Sequence, residues 1–281
     1  MSYSISGIDV SKWQGSVDFK QVRDSGQRFA IVKATEGRGY VDPRFLENWQ
    51  KLLELEGTFY RGAYHFARPD SVGGAADGKA EALDFCAALK AGGGYLAGCL
   101  PPALDFEKYS DFGAKENVPW IDAFVKTVED ELGRSPMIYT GKNIWRYEVG
   151  NSDAFKHIPL WLVNYSRAGI DGAGYPTAAM DSLPWDAFVL WQWSAGGDFA
   201  YGPKVPGIDG GTRSVDLNWW HGTEEELAAF AMVDDQPDQP QCDPDKQALL
   251  AMLESAEDDL ELGLTKVRSI RWALEALETK A

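Results

Sequence analysis

Two carboxylates lie two positions apart in residues 101–107, whose sequence is PPALDFE. If 103–107 forms a strand, Asp105 and Glu107 point to one face, with Cβ atoms roughly 6.5–7 Å apart. Like charges held this close separate the two pKa values, so one group stays ionised while the other keeps a proton near neutral pH. An acid beside an anion can split a glycosidic bond. An isolated pair of this kind is more often two solvated carboxylates at a strand end. The choice between a catalytic pair and a solvated pair therefore depends on the other residues of the chain.

Composition narrows the class of protein. The chain has 281 residues, 44% of them apolar, which suffices for one large domain and an appendage. Its net charge of −16 argues against binding to nucleic acid or to anionic membrane surfaces. No apolar run reaches membrane-spanning length, and residues 1–5 lack the features of a secretion signal. Cys86, Cys99 and Cys242 show no metal-ligand spacing, which favours a reducing compartment or simple burial.

The first half of the chain alternates between strand-like and helical patterns. Short apolar runs occur at 5–10, 29–32, 62–66, 103–107 and 136–139, and helical patterns occur at 18–25, 42–57, 79–90 and 117–133. In this interpretation, Asp42 and Asn117 cap two of the helices. This spacing is typical of parallel βαβ units.

The second half keeps the strands and loses most helices. Runs at 160–164, 188–193 and 214–217 are separated by stretches rich in Gly, Pro and Asp, which show no helical period. Thr223 and Glu226 form a capping box for one further short helix. The sequence therefore predicts an α/β fold, an irregular TIM-like barrel with eight strands and about five helices.

Polar residues close almost every predicted strand. They are Asp9, Lys33, Tyr64 with His65, Asp105 with Glu107, Tyr139, Asn164, Gln192 and Asp216. In a parallel barrel these ends meet at the C-terminal face, where active sites are built. Because clustering four carboxylates costs electrostatic free energy with no structural return, the ring indicates a functional site.

Seven of these strand motifs together resemble glycoside hydrolase family 25. They are GIDVSKWQG at 7–15, VKATEG at 32–37, AYHF at 63–66, LDFE at 104–107, IYT at 138–140, LWQWS at 190–194 and VDLN at 215–218. The resemblance covers residues 5 to about 221. It implies an irregular eight-stranded, five-helix barrel. It also implies hydrolysis of the β-1,4 bond between N-acetylmuramic acid and N-acetylglucosamine in peptidoglycan, as in phage endolysins and bacterial muramidases.

The same resemblance implies roles for individual residues. Glu107 would be the general acid and then the base, and Asp105 would assist it. Asp9 and Asp216 would complete an acidic floor. The residues expected to line the substrate cleft are Lys33, Glu36, Tyr64, Tyr139 and Gln192. The resemblance implies no cofactor, and the sequence shows no metal-binding motif.

The i,i+2 spacing leaves the stereochemical route open. The carboxyl groups could converge for covalent catalysis or separate to admit a water. The substrate's own acetamide could also attack, polarised by Asp105, and this route fits a D-x-E pair best. Asp9 and Asp216 would either orient sugar hydroxyls or keep Glu107 protonated by repulsion.

Three regions are expected along the chain. Residues 1–221 form the catalytic barrel, and 222–245 hold a short helix and an acidic, proline-rich linker. Residues 246–281 favour a long helix with a seven-residue period. A coiled coil for self-association, a wall-binding segment, or a helix packed back on the barrel would each fit this pattern.

The sequence thus favours a peptidoglycan hydrolase, expected to be a phage endolysin. Such an enzyme would be made in the host cytoplasm without a signal peptide and would reach the bacterial wall on lysis. The alternative is a catalytically silent carbohydrate-binding or virion structural module on the same barrel. The intact Asp105–Glu107 pair argues against that alternative, because a module without turnover has no need of a costly acid cluster.

Overall fold

The computed structural model describes residues 4–69, 72–95, 97–169, 174, 176–196, 203–208 and 214–231. They belong to one unit of the chain, Met1–Asp234. The proline-rich stretch and the long C-terminal helix predicted from the sequence lie outside the described residues.

The described residues form nine strands and seven α-helices around a closed barrel. The strands are β1 Ser6–Val10, β2 Phe29–Glu36, β3 Tyr40–Val41, β4 Tyr60–Phe66, β5 Ala103–Asp105, β6 Met137–Thr140, β7 Leu160–Val163, β8 Leu190–Ser194 and β9 Asp216–Trp220. The helices are α1 Phe19–Asp24, α2 Phe45–Leu53, α3 Gly74–Ala91, α4 Ala114–Leu132, α5 Lys142–Glu148, α6 Thr177–Met180 and α7 Glu224–Phe230.

Eight of the strands close the barrel, as the sequence predicts. Their order is β1-β9-β8-β7-β6-β5-β4-β2, and β1 pairs with β2 to complete the ring, while the two-residue β3 is added beside β2. Seven barrel strands run parallel, but β9 is antiparallel to both of its neighbours, β1 and β8. The assumption that every strand runs in one direction is therefore wrong for the last strand. Its first residue, rather than its last, lies at the C-terminal end of the barrel.

The helices differ from the prediction in number and in their caps. Helices α5 and α6 were not predicted, because they have only 7 and 4 residues and show no clear apolar period. The N-cap position of α2 is Arg44 rather than Asp42, but the Asp42 carboxylate accepts from the Arg44 main-chain N–H at 2.9 Å in the turn that leads into the helix. Asn117 does not cap α4, which begins three residues earlier, at Ala114. The capping box of Thr223 and Glu226 is confirmed at the start of α7.

Alternation along the strands divides the apolar residues into an inner and an outer core. On β2, Phe29 and Ile31 point into the barrel, whereas Ala30 and Val32 pack against the helices outside. The inner core also contains Leu100, Met137, Leu190 and Trp220. Gly7 makes room for the Phe29 ring, since a Cβ atom there would lie 2.4 Å from it.

Helix α7 packs against the inner core at the end of the barrel opposite the strand C-termini. Leu227 and Ala231 are fully buried in that core, and the Trp220 and Phe230 rings lie 5.0 Å apart. The main-chain N–H of Gly98 donates to the carbonyl of Ala231 at 2.8 Å. Helix α7 therefore belongs to the packing of the barrel and closes its lower end. Among the described residues, no helix combines the length and apolar character that crossing a membrane requires.

Candidate active site

The inner face of the barrel changes from apolar to polar toward the C-terminal ends of the parallel strands. On β2, Lys33 follows Phe29 and Ile31, and on β8, Gln192 follows Leu190 on the same face. The polar side chains surround a cavity of about 230 Å³. Its lining consists of Asp9, Ser11, Trp13, Gln14, Lys33, Tyr64, Phe66, Asp105, Glu107, Tyr139, Trp161, Tyr165, Gln192 and Asp216. Eight of the nine site residues predicted from the sequence are thus brought together.

Asp9 lies at the centre of a hydrogen-bonded network. Its Oδ2 accepts from Asn218 Nδ2 at 2.8 Å and from Gln192 Nε2 at 2.9 Å. The donors are themselves held in place, because the Trp161 indole donates to Asn218 Oδ1 and the Tyr139 hydroxyl donates to Gln192 Oε1. Burial raises the pKa of Asp9 to about 6, and the hydrogen bonds from Asn218 and Gln192 oppose that rise.

Asp216 faces Asp9 across the strand pair. The two residues are directly opposite in the register of β1 and β9, and their carboxyl groups share a hydrogen bond. Burial, followed by the negative charge of Asp9, raises the pKa of Asp216 well above its ordinary value. Since two carboxylates can bond only through a proton, Asp216 carries that proton and Asp9, already bonded by two amides, accepts it.

Asp105 and Glu107 occupy the cavity as the i,i+2 spacing predicts. Strand β5 ends at Asp105, and Phe106 points to the outer core, where its ring lies 6.0 Å from that of Trp120. Glu107 follows just beyond the strand, with its Oε2 3.5 Å from the Tyr139 hydroxyl. The buried Asp105 Oδ1 accepts no hydrogen bond from any described residue.

The pKa values of Asp105 and Glu107 both rise. Burial is the largest cause in each case. The charge of Glu107 adds to the rise in the pKa of Asp105, and the charge of Asp9 adds to that of Glu107. Lys33 is the cation that opposes both rises. The site therefore retains protons on carboxyl groups at a pH where exposed carboxyl groups have lost theirs.

Lys33 is oriented by an ion pair that reaches outside the cavity. Its Nζ lies 2.6 Å from Glu36 Oε2 and 4.5 Å from the centre of the Phe66 ring. Glu36 in turn accepts from Arg68 Nη1 at 2.9 Å. Glu36 is the one predicted site residue that does not line the cavity. It lines a neighbouring depression instead.

Aromatic rings form part of the cavity wall and its rim. Trp13 and Tyr165 are 64% and 52% exposed, so their faces are open to a ligand entering the cavity. Tyr64 lies deeper, and burial raises the pKa of its hydroxyl well above its ordinary value. Flat apolar faces with polar edges are suited to pyranose rings.

His65 lies outside the barrel, on the opposite face of β4 from Tyr64. Its Nδ1 and Nε2 lie 2.8 Å from Thr35 Oγ1 and 2.7 Å from Glu81 Oε2, and its ring packs against Phe124. Burial lowers the pKa of His65 to about 3. The neutral ring is therefore a hydrogen-bonded part of the wall. Among the described residues, no group of His, Cys, Asp or Glu is arranged to hold a metal ion.

Sequence reasoning missed several residues of the site. Asn218 stands two positions after Asp216, the same spacing that selected Asp105 and Glu107, so this signal could have found it. Ser11, Trp13 and Gln14 follow Asp9 directly and enter the lining through a short 3-10 turn. No period in the sequence points to Tyr165, which enters from the loop after β7.

Comparison with known proteins identifies the class. The model of the glycosyl hydrolases family 25 matches residues 8–200. The chain is 36% identical over 236 residues to the uncharacterized protein YegX of Escherichia coli O157:H7, covering 82% of this chain and 74% of that protein. It is 36% identical over 185 residues to the N,O-diacetylmuramidase of Chalaropsis sp, covering 62% of this chain and 84% of that one.

A solved structure agrees with the sequence comparisons. The bacterial lysozyme from Streptomyces coelicolor superimposes with a TM-score of 0.67 at 30% identity, covering 81% of this chain and 97% of that one. The chain belongs to glycosyl hydrolase family 25. It is accordingly a glycoside hydrolase.

Proposed function

We propose that this chain is a peptidoglycan hydrolase, a lysozyme that cleaves the β-1,4 bond between N-acetylmuramic acid and N-acetylglucosamine. The observation that carries the proposal is the set of four carboxyl groups, Asp9, Asp105, Glu107 and Asp216, around one small cavity. The names of the relatives, a diacetylmuramidase and a lysozyme, support this choice of substrate.

In this proposal Glu107 is the general acid. It lies at the rim of the carboxyl set, within reach of an incoming glycosidic oxygen, and its pKa is raised by burial and by the charge of Asp9. A raised pKa keeps the proton available for the leaving oxygen near neutral pH. Once the leaving group departs, the Glu107 carboxylate can take a proton from the attacking water. Activity should therefore fall as the pH rises through the pKa of Glu107.

Asp105 is proposed to act on the N-acetyl group of the substrate. Asp105 lines the catalytic cavity, so its carboxyl group can accept a hydrogen bond from the acetamide N–H of a bound sugar. An acetamide held in this way has its carbonyl oxygen directed at the anomeric carbon, as substrate-assisted hydrolysis requires. The D-x-E spacing of Asp105 and Glu107 supports this route, with retention of configuration, over direct attack by Asp105.

Asp9 and Asp216 are proposed to set the electrostatic environment of Glu107. Asp9 is the ionised member of the shared pair, and its charge contributes to the raised pKa of Glu107. Lys33, Tyr64, Tyr139 and Gln192 are proposed as substrate-contacting groups, together with Trp13 and Tyr165 at the rim. Glu36 is proposed to act indirectly, by orienting Lys33.

The extent and biological setting of the enzyme are also proposals. We place the end of the catalytic unit after α7, because that helix closes the inner core. The endolysin setting, with action on the wall after host lysis, and self-association through residues 246–281 rest on sequence patterns and stay predictions.

The decisive test compares wild type with Glu107→Gln on purified peptidoglycan, with the new reducing ends identified chemically. We expect wild type to release muramic acid reducing ends and the variant to lose ~10²-fold or more in rate. Glu129→Gln, on the outer surface of α4, is the matched control and should behave like wild type. If wild type binds the wall without cutting it, the silent-module alternative holds. If Glu107→Gln cuts as well as wild type, the assignment of the acid is wrong.

A further inference from the structure

A second depression of about 390 Å³ lies beside the catalytic cavity, and we call it the side pocket. The residues that line it are Lys12, Glu36, Gly37, Arg38, Tyr40, Arg68, Val72, Asp77 and Glu81. None of them belongs to the lining of the catalytic cavity.

The wall between the two cavities is thin. Lys33 faces the catalytic cavity, Glu36 faces the side pocket, and their charged atoms lie 2.6 Å apart. Lys12 lines the side pocket, while its chain neighbours Ser11 and Trp13 line the catalytic cavity. A substituent on a sugar in the catalytic cavity could therefore enter the side pocket across one ion pair.

The acids of the side pocket are already engaged. Glu36 pairs with Lys33 and Arg68, and Glu81 accepts from His65 and from the main-chain N–H of Arg68. Asp77 accepts from the Trp120 indole at 2.9 Å. These carboxyl groups are satisfied by protein donors, so they do not call for a cationic ligand.

The cations at the mouth of the side pocket are available. Arg38 is exposed and forms no ion pair with any residue in the described part of the chain. The Lys12 ammonium lies 5.1 Å from the Trp13 ring centre and 5.2 Å from that of Tyr40, and it forms no ion pair within 4.0 Å in the described part of the chain. A hydrogen bond to Tyr40 and the more distant charges of Asp42 and Glu36 raise its pKa, so it stays positively charged. Val72, 62% exposed, and Tyr40 add apolar surface beside these charges. Two accessible cations next to apolar surface fit a carboxylate-bearing peptide.

We propose that the side pocket binds the stem peptide that peptidoglycan carries on the lactyl group of muramic acid. This proposal rests on the proposed peptidoglycan hydrolase activity and extends it to substrate selection. The stem peptide bears free carboxylates beside alkyl side chains, and its attachment point sits on the sugar that the catalytic cavity would hold. An extended peptide advances about 3.3–3.6 Å per residue, so its first few residues suffice to cross the Lys33–Glu36 pair. The enzyme would thus prefer glycan strands that carry stems over bare strands.

The test uses the full chain and two matched substrates, namely peptidoglycan strands with their stems and the same strands stripped by an N-acetylmuramoyl-L-alanine amidase. The measured quantity is the ratio of kcat/KM on stem-bearing strands to that on stripped strands. We expect wild type to favour stem-bearing strands, and Arg38→Glu to lower the ratio about tenfold. Arg38→Lys should retain most of the preference. Arg23→Ala, which alters an arginine of α1 outside both cavities, should keep the wild-type ratio.

The alternative outcomes separate the two proposals. If wild type cuts both substrates equally well, or if Arg38→Glu leaves the ratio unchanged, the side pocket does not bind the stem peptide and this proposal is overturned. If wild type cuts neither substrate, the proposed hydrolase function itself has failed. A matched thermal unfolding midpoint for Arg38→Glu and wild type excludes loss of fold as the cause of a lower ratio.

Discussion

Two buried carboxyl groups lie on opposite sides of the barrel wall and differ in the hydrogen-bond donors that surround them. Glu81, outside the barrel and 1% exposed, accepts hydrogen bonds from His65 and from the Arg68 main chain. Asp105, inside and 7% exposed, keeps a buried oxygen with no partner among the described residues. The neighbouring charge that most affects its pKa is that of another carboxyl group, Glu107.

The difference shows how structural and catalytic burial can be distinguished. A carboxyl group that serves the fold has its acceptors filled, because an unsatisfied buried acceptor costs about 1–3 kcal/mol. A carboxyl group that serves a reaction can lack such donors, and the fold then bears that cost. Glu81 follows the first pattern. We propose that Asp105, which lines the catalytic cavity, follows the second, so the two should respond in opposite ways to substitution.

The largest expected effect is on catalysis at Asp105. Asp105→Asn should lower kcat on peptidoglycan by ~10²–10³-fold, because the amide cannot accept from the acetamide N–H with the same charge. The midpoint of thermal unfolding should not fall, because the lost oxygen has no partner in the described protein. Steady-state kinetics and calorimetry on one preparation measure both quantities. A clear loss of thermal stability together with retained kcat would reverse the assignment.

The next effect is on stability at Glu81. Glu81→Ala leaves the His65 Nε2–H and the Arg68 N–H without an acceptor, which should destabilise the fold by ~3 kcal/mol. That loss corresponds to a fall in Tm of about 6–12 °C for a domain of this size. Glu129→Ala, on the outer face of α4, is the control and should shift Tm by much less. Well below the Tm of the variant, kcat should stay within a few-fold of wild type. A selective loss of kcat would show that Glu81 belongs to the catalytic machinery.

The smallest effect concerns Asp216 and depends on pH. Because its folded-state pKa is raised, the wild-type group supports stability fully only below its unfolded pKa, and this support is lost as pH rises through the folded pKa. Asp216→Asn keeps a donor to Asp9 and does not titrate. The variant should therefore match wild type near pH 4 and exceed its Tm by ~2–4 °C at pH 7. An equal difference at both pH values would mean that the effect is not electrostatic.

Much of the fold could be predicted because strand ends and alternation are visible in the sequence. The pairing of inward Asp105 with outward Phe106 follows from a period of two, and the eight-stranded barrel follows from the alternation of strands and helices along the chain. The direction of β9 could not be predicted, since alternation is the same when a strand is traversed either way. That reversal still leaves Asp216 at the cavity, because its position at the start of an antiparallel strand is equivalent to the end of a parallel one.

The errors in the prediction arise from tertiary contacts. Asn117 looks like a helix cap, yet it is buried and its amide donates to the Glu148 carbonyl at 2.9 Å, a partner 31 positions away. Glu36 looks like a cleft residue, but it lines the side pocket, where it pairs with Arg68, a residue 32 positions away. Neither outcome can be predicted from local periodicity, because both depend on residues that become neighbours only after folding.

The closure of the barrel by β1 and β9 also sets when the hydrogen-bonded network of Asp9 is complete. Asp9 and Asn218 are separated by 209 positions along the chain, and the hydrogen bond between them forms only when the last strand joins the first. Contacts of such long range form late, because the entropy of closing the loop must be overcome first. A ribosome-bound chain that has not yet released β9 therefore lacks the Asn218 partner of Asp9, and we expect hydrolytic activity to return during refolding only once the ring has closed.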